Sequence, residues 1–114
     1  MINEDRIKAV KSLIGLEKPI DSCINALNTF SWDYDGDPVI LNRTDVESVM
    51  KRFLDGNLSK TDLEAWADAI ELRDDIAFYG SDANWIKMVI TTLSTPPLYG
   101  PITRESVEQL LGLQ

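Results

Sequence analysis

The chain has 114 residues, 44% of them hydrophobic and 26% charged, a globular rather than disordered composition and enough chain for one domain with one core. Eleven basic residues stand against 19 acidic ones with no histidine, and the net charge of −8 argues against binding nucleic acid or an anionic membrane surface. Apolar runs are too short to span a bilayer, and the amino terminus lacks the basic region and apolar stretch of a signal peptide.

The expected fold is all-α or nearly so: one compact domain over 1–114, of about six helices, with one short extended segment near 39–41. Ile7, Val10 and Ile14 fall at helical spacing, predicting a first helix over 4–14 that Gly15 ends. Pro19 suits the first turn of a second helix, about 20–29, which buries Cys23, Ile24 and Leu27. Cys23 is the single cysteine, so no internal disulfide can form, and a reducing compartment such as the cytoplasm is the simplest expectation. With no histidine to activate it, Cys23 reads as a small core residue.

Residues 31–38 form an acidic loop containing Gly36 and Pro38, followed by the apolar run Val39-Ile40-Leu41. Thr44 and Glu47 have the spacing of a capping box, and Val46, Val49, Met50, Phe53 and Leu54 make a strong amphipathic pattern that ends at Gly56-Asn57. Ser59 opens the next helix, with Asp62 at its third position doing the work of Glu less well, and Leu63, Trp66, Ala67 and Ile70 on its apolar side. Ile76-Ala77-Phe78-Tyr79 reads as an apolar link. Ser81 is the expected cap of a helix over 82–93, buried through Trp85, Ile86, Val89 and Leu93 and stopped by Pro96-Pro97. Thr103 caps a last helix carrying Val107, Leu110 and Leu111, which Gly112 closes.

Chemistry is harder to place. One cysteine and no histidine leave no zinc set and no Ser-His or Cys-His nucleophile, and the scattered glycines form no phosphate loop. Asp33, Asp35 and Asp37 match positions 1, 3 and 5 of a calcium loop, but Pro38 stands where the loop needs glycine and Thr44 where it needs glutamate. An acidic turn or a contact for a basic partner are the readings left for that loop. Carboxylates alone can hydrolyse a glycoside, but no pair stands out in so short a chain. The expectation is therefore a protein with no enzymatic activity, no cofactor and no metal.

The charge is concentrated. Residues 33–75 hold twelve acidic side chains against five basic ones, a net of −7. Within them Glu64, Asp68, Glu71 and Asp75 are spaced 4, 3 and 4, and at ~100° per residue they share about 60° of arc if the helix reaches that far. Like charges at such spacings work against a helix by about 0.2–0.5 kcal/mol per pair. Two readings stand beside each other: a surface complementary to basic side chains, and an ordinary solvated face. Trp66 and Trp85 sit on apolar faces as core candidates. Trp32, between Ser31 and Asp33, is either an interface anchor or a packing residue.

The stretch ALNTFSWDYDGDPVILNRTDVESVMKRFLDGNLSKTDLEAWADAIELRDDIAF resembles a group of small bacterial proteins. Their shared pattern runs from F-x-W/F-D through a strand ending T-R-x-D-V, to a helix ending R-F/Y-L-x-G-x-L-S, then E-x-W-A and E-x-R-D-D-I. Leu98-Tyr99-Gly100-Pro101-Ile102-Thr103 resembles the group's G-P-L-T turn. Asn42 departs from the pattern, which has Thr there. Most of these positions are caps, turns and core. Small acidic proteins of this kind are similar to immunity proteins that neutralise polymorphic or contact-dependent toxins, many of them basic nucleases. The resemblance, one of size, charge and style, implies a cytoplasmic immunity protein that blocks a basic toxin domain; the clustered acidity points to Glu64, Asp68, Glu71 and Asp75 with Asp33, Asp35, Asp37 and Trp32 as its partner-binding residues. A regulatory or scaffolding domain for another basic protein is the alternative, and a carboxylate-based metal binder or enzyme the third.

Overall fold

The computed structural model describes residues 4–30, 38–73 and 75–112. In chain order it contains α1 (Glu4–Gly15), α2 (Ile20–Leu27), β1 (Val39–Leu41), α3 (Arg43–Leu54), α4 (Lys60–Glu71), β2 (Ile76–Phe78), a 3₁₀ turn (Gly80–Asp82), α5 (Ala83–Ser94), α6 (Pro96–Tyr99) and α7 (Arg104–Leu111). The expectation of a mostly helical domain holds. One hydrophobic cluster joins the helices, with Leu13, Val46, Met50, Leu63, Trp66, Ile86, Val89 and Val107 at its fully buried centre. The most extensive helix pair is α4 against α5.

The segment at 39–41 is extended, and it has a partner that the sequence reading missed. The apolar link at Ile76 is β2, lying parallel to β1 in the register Val39↔Ile76, Ile40↔Ala77, Leu41↔Phe78. A parallel pair needs a long crossover, and here α3 and α4 supply it. The pairing is anchored at both ends: the N–H of Val39 donates to the carbonyl of Asp75 at 2.8 Å, and that of Tyr79 to the carbonyl of Leu41 at 2.8 Å.

Helix ends show how the caps are chosen. Ser59 and Asp62 form the expected reciprocal box at the start of α4, as do Thr103 and Ser106 at the start of α7. Thr44 does not cap α3. The strand runs directly into the helix, so Asn42 is the N-cap: its side chain accepts from the N–H of Asp45 at 3.0 Å, and Asp45 accepts from the N–H of Asn42 at 3.1 Å. Asn and Thr both serve at an N-cap, so the departure from the pattern falls where it changes little. Ser81 does not cap α5, because it lies within the 3₁₀ turn and the helix starts at Ala83. Pro96 and Pro97 end α5 as expected, and they also open α6, where their missing N–H groups cost nothing.

Two arginines bind the helices together through carbonyls at helix ends, and a third does so by stacking on an aromatic ring. Arg52 donates through Nη1 to the carbonyls of Gly15 and Leu16, both at 2.9 Å, tying α3 to the end of α1. Arg104 donates to the carbonyl of Leu54 at 2.9 Å, tying α7 to the end of α3. These guanidinium groups meet the negative ends of the helix dipoles. Arg43 stacks over Trp85, 4.1 Å from the ring centroid, while the Trp85 indole N–H donates to the carbonyl of Leu110 at 3.1 Å.

α1 closes through an unusual residue. Glu17 N–H donates to the carbonyl of Ser12 and Leu16 N–H to that of Leu13, each at 3.0 Å, which is the Schellman pattern. The left-handed position normally taken by glycine is occupied by Leu16, at φ 48°, because its side chain is needed in the core, where it is 2% exposed.

Candidate functional site

α4 is fixed by the burial of Leu63, Trp66, Ala67 and Ile70, none more than 1% exposed. The Trp66 indole N–H donates to the carbonyls of Leu13 at 2.9 Å and Ile14 at 3.3 Å, so the helix cannot rotate without losing a buried bond. That orientation sends Glu64, Asp68 and Glu71 outward along one ridge. Asp68 and Glu71 are exposed and Glu64 is half-buried. Glu71 accepts from the hydroxyl of Ser94 at 3.1 Å. Among the described residues, no ion pair engages any of the three.

Asp75 does not belong to this ridge. α4 stops at Glu71, with Leu72 as its C-cap, because the chain must turn to bring Ile76 into register with Val39. Asp75 turns inward and is 1% exposed. Its carboxylate accepts from Arg73 Nε at 2.7 Å, Arg73 Nη2 at 2.8 Å and Arg6 Nε at 3.0 Å. Burial alone would raise its pKa. The hydrogen bonds from Arg73 and Arg6, and their charges, outweigh that and hold it below the ordinary carboxylate value. Asp75 is thus a structural anion that ties α1 to the start of β2. Trp32, Asp33, Asp35 and Asp37 lie outside the described residues.

The structure also separates the acids of the 33–75 stretch by what they do. Asp45 and Asp62 complete capping boxes, Glu47 pairs with Arg43 at 3.1 Å, and Asp75 holds Arg6 and Arg73. These groups have local reasons to be acidic. Among the described residues, Glu64, Asp68 and the exposed Asp55 make no such contact, and Glu71 accepts only the Ser94 hydroxyl.

One flank of the ridge was not foreseen. Between α2 and α4 lies an open groove with a cavity volume of about 400 Å³, lined by Ile24, Leu27, Asn28, Ala65, Asp68, Ala69, Leu72 and Arg73. Ala65 and Ala69, one turn apart, are too small to fill the space against α2. Leu72, just past the end of α4, is 70% exposed. The sequence signal for it was available: two alanines at i, i+4 beside the acids, and a leucine where the acidic face ends. Trp66 and Cys23 are buried as expected, Cys23 as a free thiol, whereas Trp85 is only partly buried and packs against the edge of the core.

Fold and ridge together define a small helical domain in which, among the described residues, an acidic helix face without ion pairs lies beside an apolar groove. No protein family, curated protein or solved structure matches the chain. Among the described residues, no helix is long and apolar enough to cross a membrane, and no three Cys, Asp or Glu side chains converge as a metal-binding set.

Proposed function

We propose that this protein binds a basic protein through the ridge Glu64–Asp68–Glu71, as an immunity protein of the bacterial cytoplasm that blocks a basic toxin domain. The observation that carries the reading is the contrast in use of charge: among the described residues, Asp45 and Asp62 complete capping boxes and Glu47 and Asp75 are paired with arginines, whereas Glu64, Asp68 and Glu71 lie along one ridge of α4 and are in no ion pair. Three like charges on one ridge attract a basic surface over about a Debye length and repel acidic competitors. A toxin whose groove binds phosphate would present such a surface, and an acidic ridge laid across it would exclude the nucleic acid. The resemblance in size, charge and style to immunity proteins supports the choice of partner. A free, buried Cys23 accords with a reducing compartment.

The test is association with a basic toxin domain encoded beside this protein, measured at low and high salt. The expected result is a complex that weakens as salt rises and is lost in the double variant Asp68→Lys, Glu71→Lys. A complex indifferent to both would overturn the reading.

A further inference from the structure

We infer that the groove between α2 and α4 receives the apolar face of an amphipathic basic helix, so that the partner is held by an apolar anchor and steered by the acidic ridge. This rests on the proposed function for the sign of the partner's charge and adds to it the shape of what is bound. The groove floor is apolar: Ile24 and Leu27 from α2, Ala65 and Ala69 from α4, and Leu72 at one end. Its solvent rim on α4 carries Asp68, which lines the groove and also stands on the ridge.

Helical geometry places the two features side by side. Taking Glu64 as origin, Asp68 lies at about 40° and Glu71 at about −20°, while Leu72, Ala65 and Ala69 lie at about 80°, 100° and 140°. A segment lying along the groove would therefore bury its apolar residues between the alanines and Ile24 and bring its polar flank over Asp68 and its neighbours. Lysine or arginine on that flank completes the charge. Among the described lining residues the cation is Arg73, which donates through Nε and Nη2 to Asp75 and forms no ion pair with Asp68. A helix laid in an apolar groove and read through residues one turn apart is an established mode of recognition. The volume of about 400 Å³ falls within the range of sites that hold compact apolar groups.

The probe is a synthetic amphipathic peptide of about four helical turns, leucine on one face and lysine on the other. Two control peptides accompany it, one with serine for every leucine and one with glutamate for every lysine. Binding to the full chain is read by fluorescence anisotropy and by amide shifts. The expected result is binding of the first peptide with shifts at Ile24, Ala65, Ala69 and Leu72, and binding at least about tenfold weaker for the serine peptide. Leu72→Ser, at an exposed position beyond the helix, and Ala69→Leu, which fills the groove, each weaken the first peptide comparably. If the serine peptide binds as well and Leu72→Ser changes nothing, the groove assignment fails while the acidic ridge stands. If the glutamate peptide binds as tightly, the basic occupant is wrong, and the proposed function loses support with it. If no peptide binds, the groove assignment fails and association with the toxin domain judges the proposed function separately. Nuclear Overhauser contacts in the free protein from Leu72 to residues 31–37, or a dimer that Leu72→Ser dissolves, would give the groove to the chain itself or to a second copy and overturn the inference.

Discussion

Replacing Asp75 by asparagine should remove the most strongly determined electrostatic contact among the described residues. Three charge-assisted hydrogen bonds converge on this carboxylate, at 2.7, 2.8 and 3.0 Å, and it is 1% exposed. An amide keeps the shape but loses the charge and turns a donor toward two guanidinium groups. Breaking a buried pair by neutralising one partner costs about 3–5 kcal/mol. Arg73, with a side chain 17% exposed, can turn to water, whereas Arg6 at 7% cannot do so easily. That places the loss near ~3 kcal/mol, a large part of the ~5–15 kcal/mol that holds a domain of this size together. Urea denaturation followed by tryptophan fluorescence measures it. The pH dependence supplies a sharper check. The Asp75 carboxyl is held below its ordinary value in the folded protein, so the ionised form stabilises the fold. Its contribution is complete above the unfolded value of about 3.9 and is lost as pH falls through the lower folded value. The gap between the natural protein and Asp75→Asn should therefore be widest near neutrality and close in acid. Asp68→Asn, on the exposed ridge, should open no such gap. A deficit under ~1 kcal/mol at neutral pH, or one that persists unchanged in strong acid, would refute the assignment of Asp75 as a buried anion.

The remaining expectations follow from the caps, the left-handed residue and the ridge. Asn42→Ala should cost about 1 kcal/mol in a denaturation series, whereas Thr44→Ala should stay within about 0.5 kcal/mol, the reverse of what a Thr44 cap requires. Leu16→Gly relieves a left-handed strain of about 1–2 kcal/mol but removes a buried leucine that contributes about 2–5 kcal/mol, so the variant should be net destabilised by a few kcal/mol despite its better backbone. Asp68→Lys with Glu71→Lys removes like-charge contacts and sets cations near the helix C-terminus; thermal unfolding should show stability unchanged or raised by up to about 1 kcal/mol.

The legible parts of the fold were those carried by local periodicity. Apolar spacing located the major helices, and Ser59, Thr103 and Gly112 marked ends that the structure uses. The errors come from competition between neighbouring residues or from distant partners. Asn42 and Thr44 are both capping types, and only the strand running up to Leu41 decides between them. Ile76-Ala77-Phe78 is too short to declare itself, since its partner lies across a crossover of two helices. Asp75 continues the acidic spacing without a glycine or proline to interrupt it. What stops α4 is a strand pairing that no local pattern records. Glu64, Asp68 and Glu71 were placed correctly on one face because α4 is strongly amphipathic. The groove beside them depends on how α2 packs, which helical periodicity alone does not give.

The fold can carry such a ridge because α4 is held from its other side. Burying a leucine, an isoleucine or a comparable side chain contributes about 1.5–3 kcal/mol, and Leu63, Trp66 and Ile70 are each at most 1% exposed. The ridge opposes this with about 0.2–0.5 kcal/mol for each of its adjacent like-charge pairs and about 0.3–1 kcal/mol for Glu71 facing the negative end of the helix. The packing term is several times larger, so the helix forms despite its charges. Among the described residues, Glu64 and Asp68 accept no hydrogen bond and Glu71 accepts only that of the Ser94 hydroxyl, in contrast to Asp45, Asp62 and Asp75, whose carboxylates complete capping boxes or hold two arginines. Stability and binding can therefore be separated at the ridge. A charge reversal there that leaves the melting curve intact and abolishes a salt-sensitive complex acts on recognition alone, whereas the same experiment at Asp75 would confound the two.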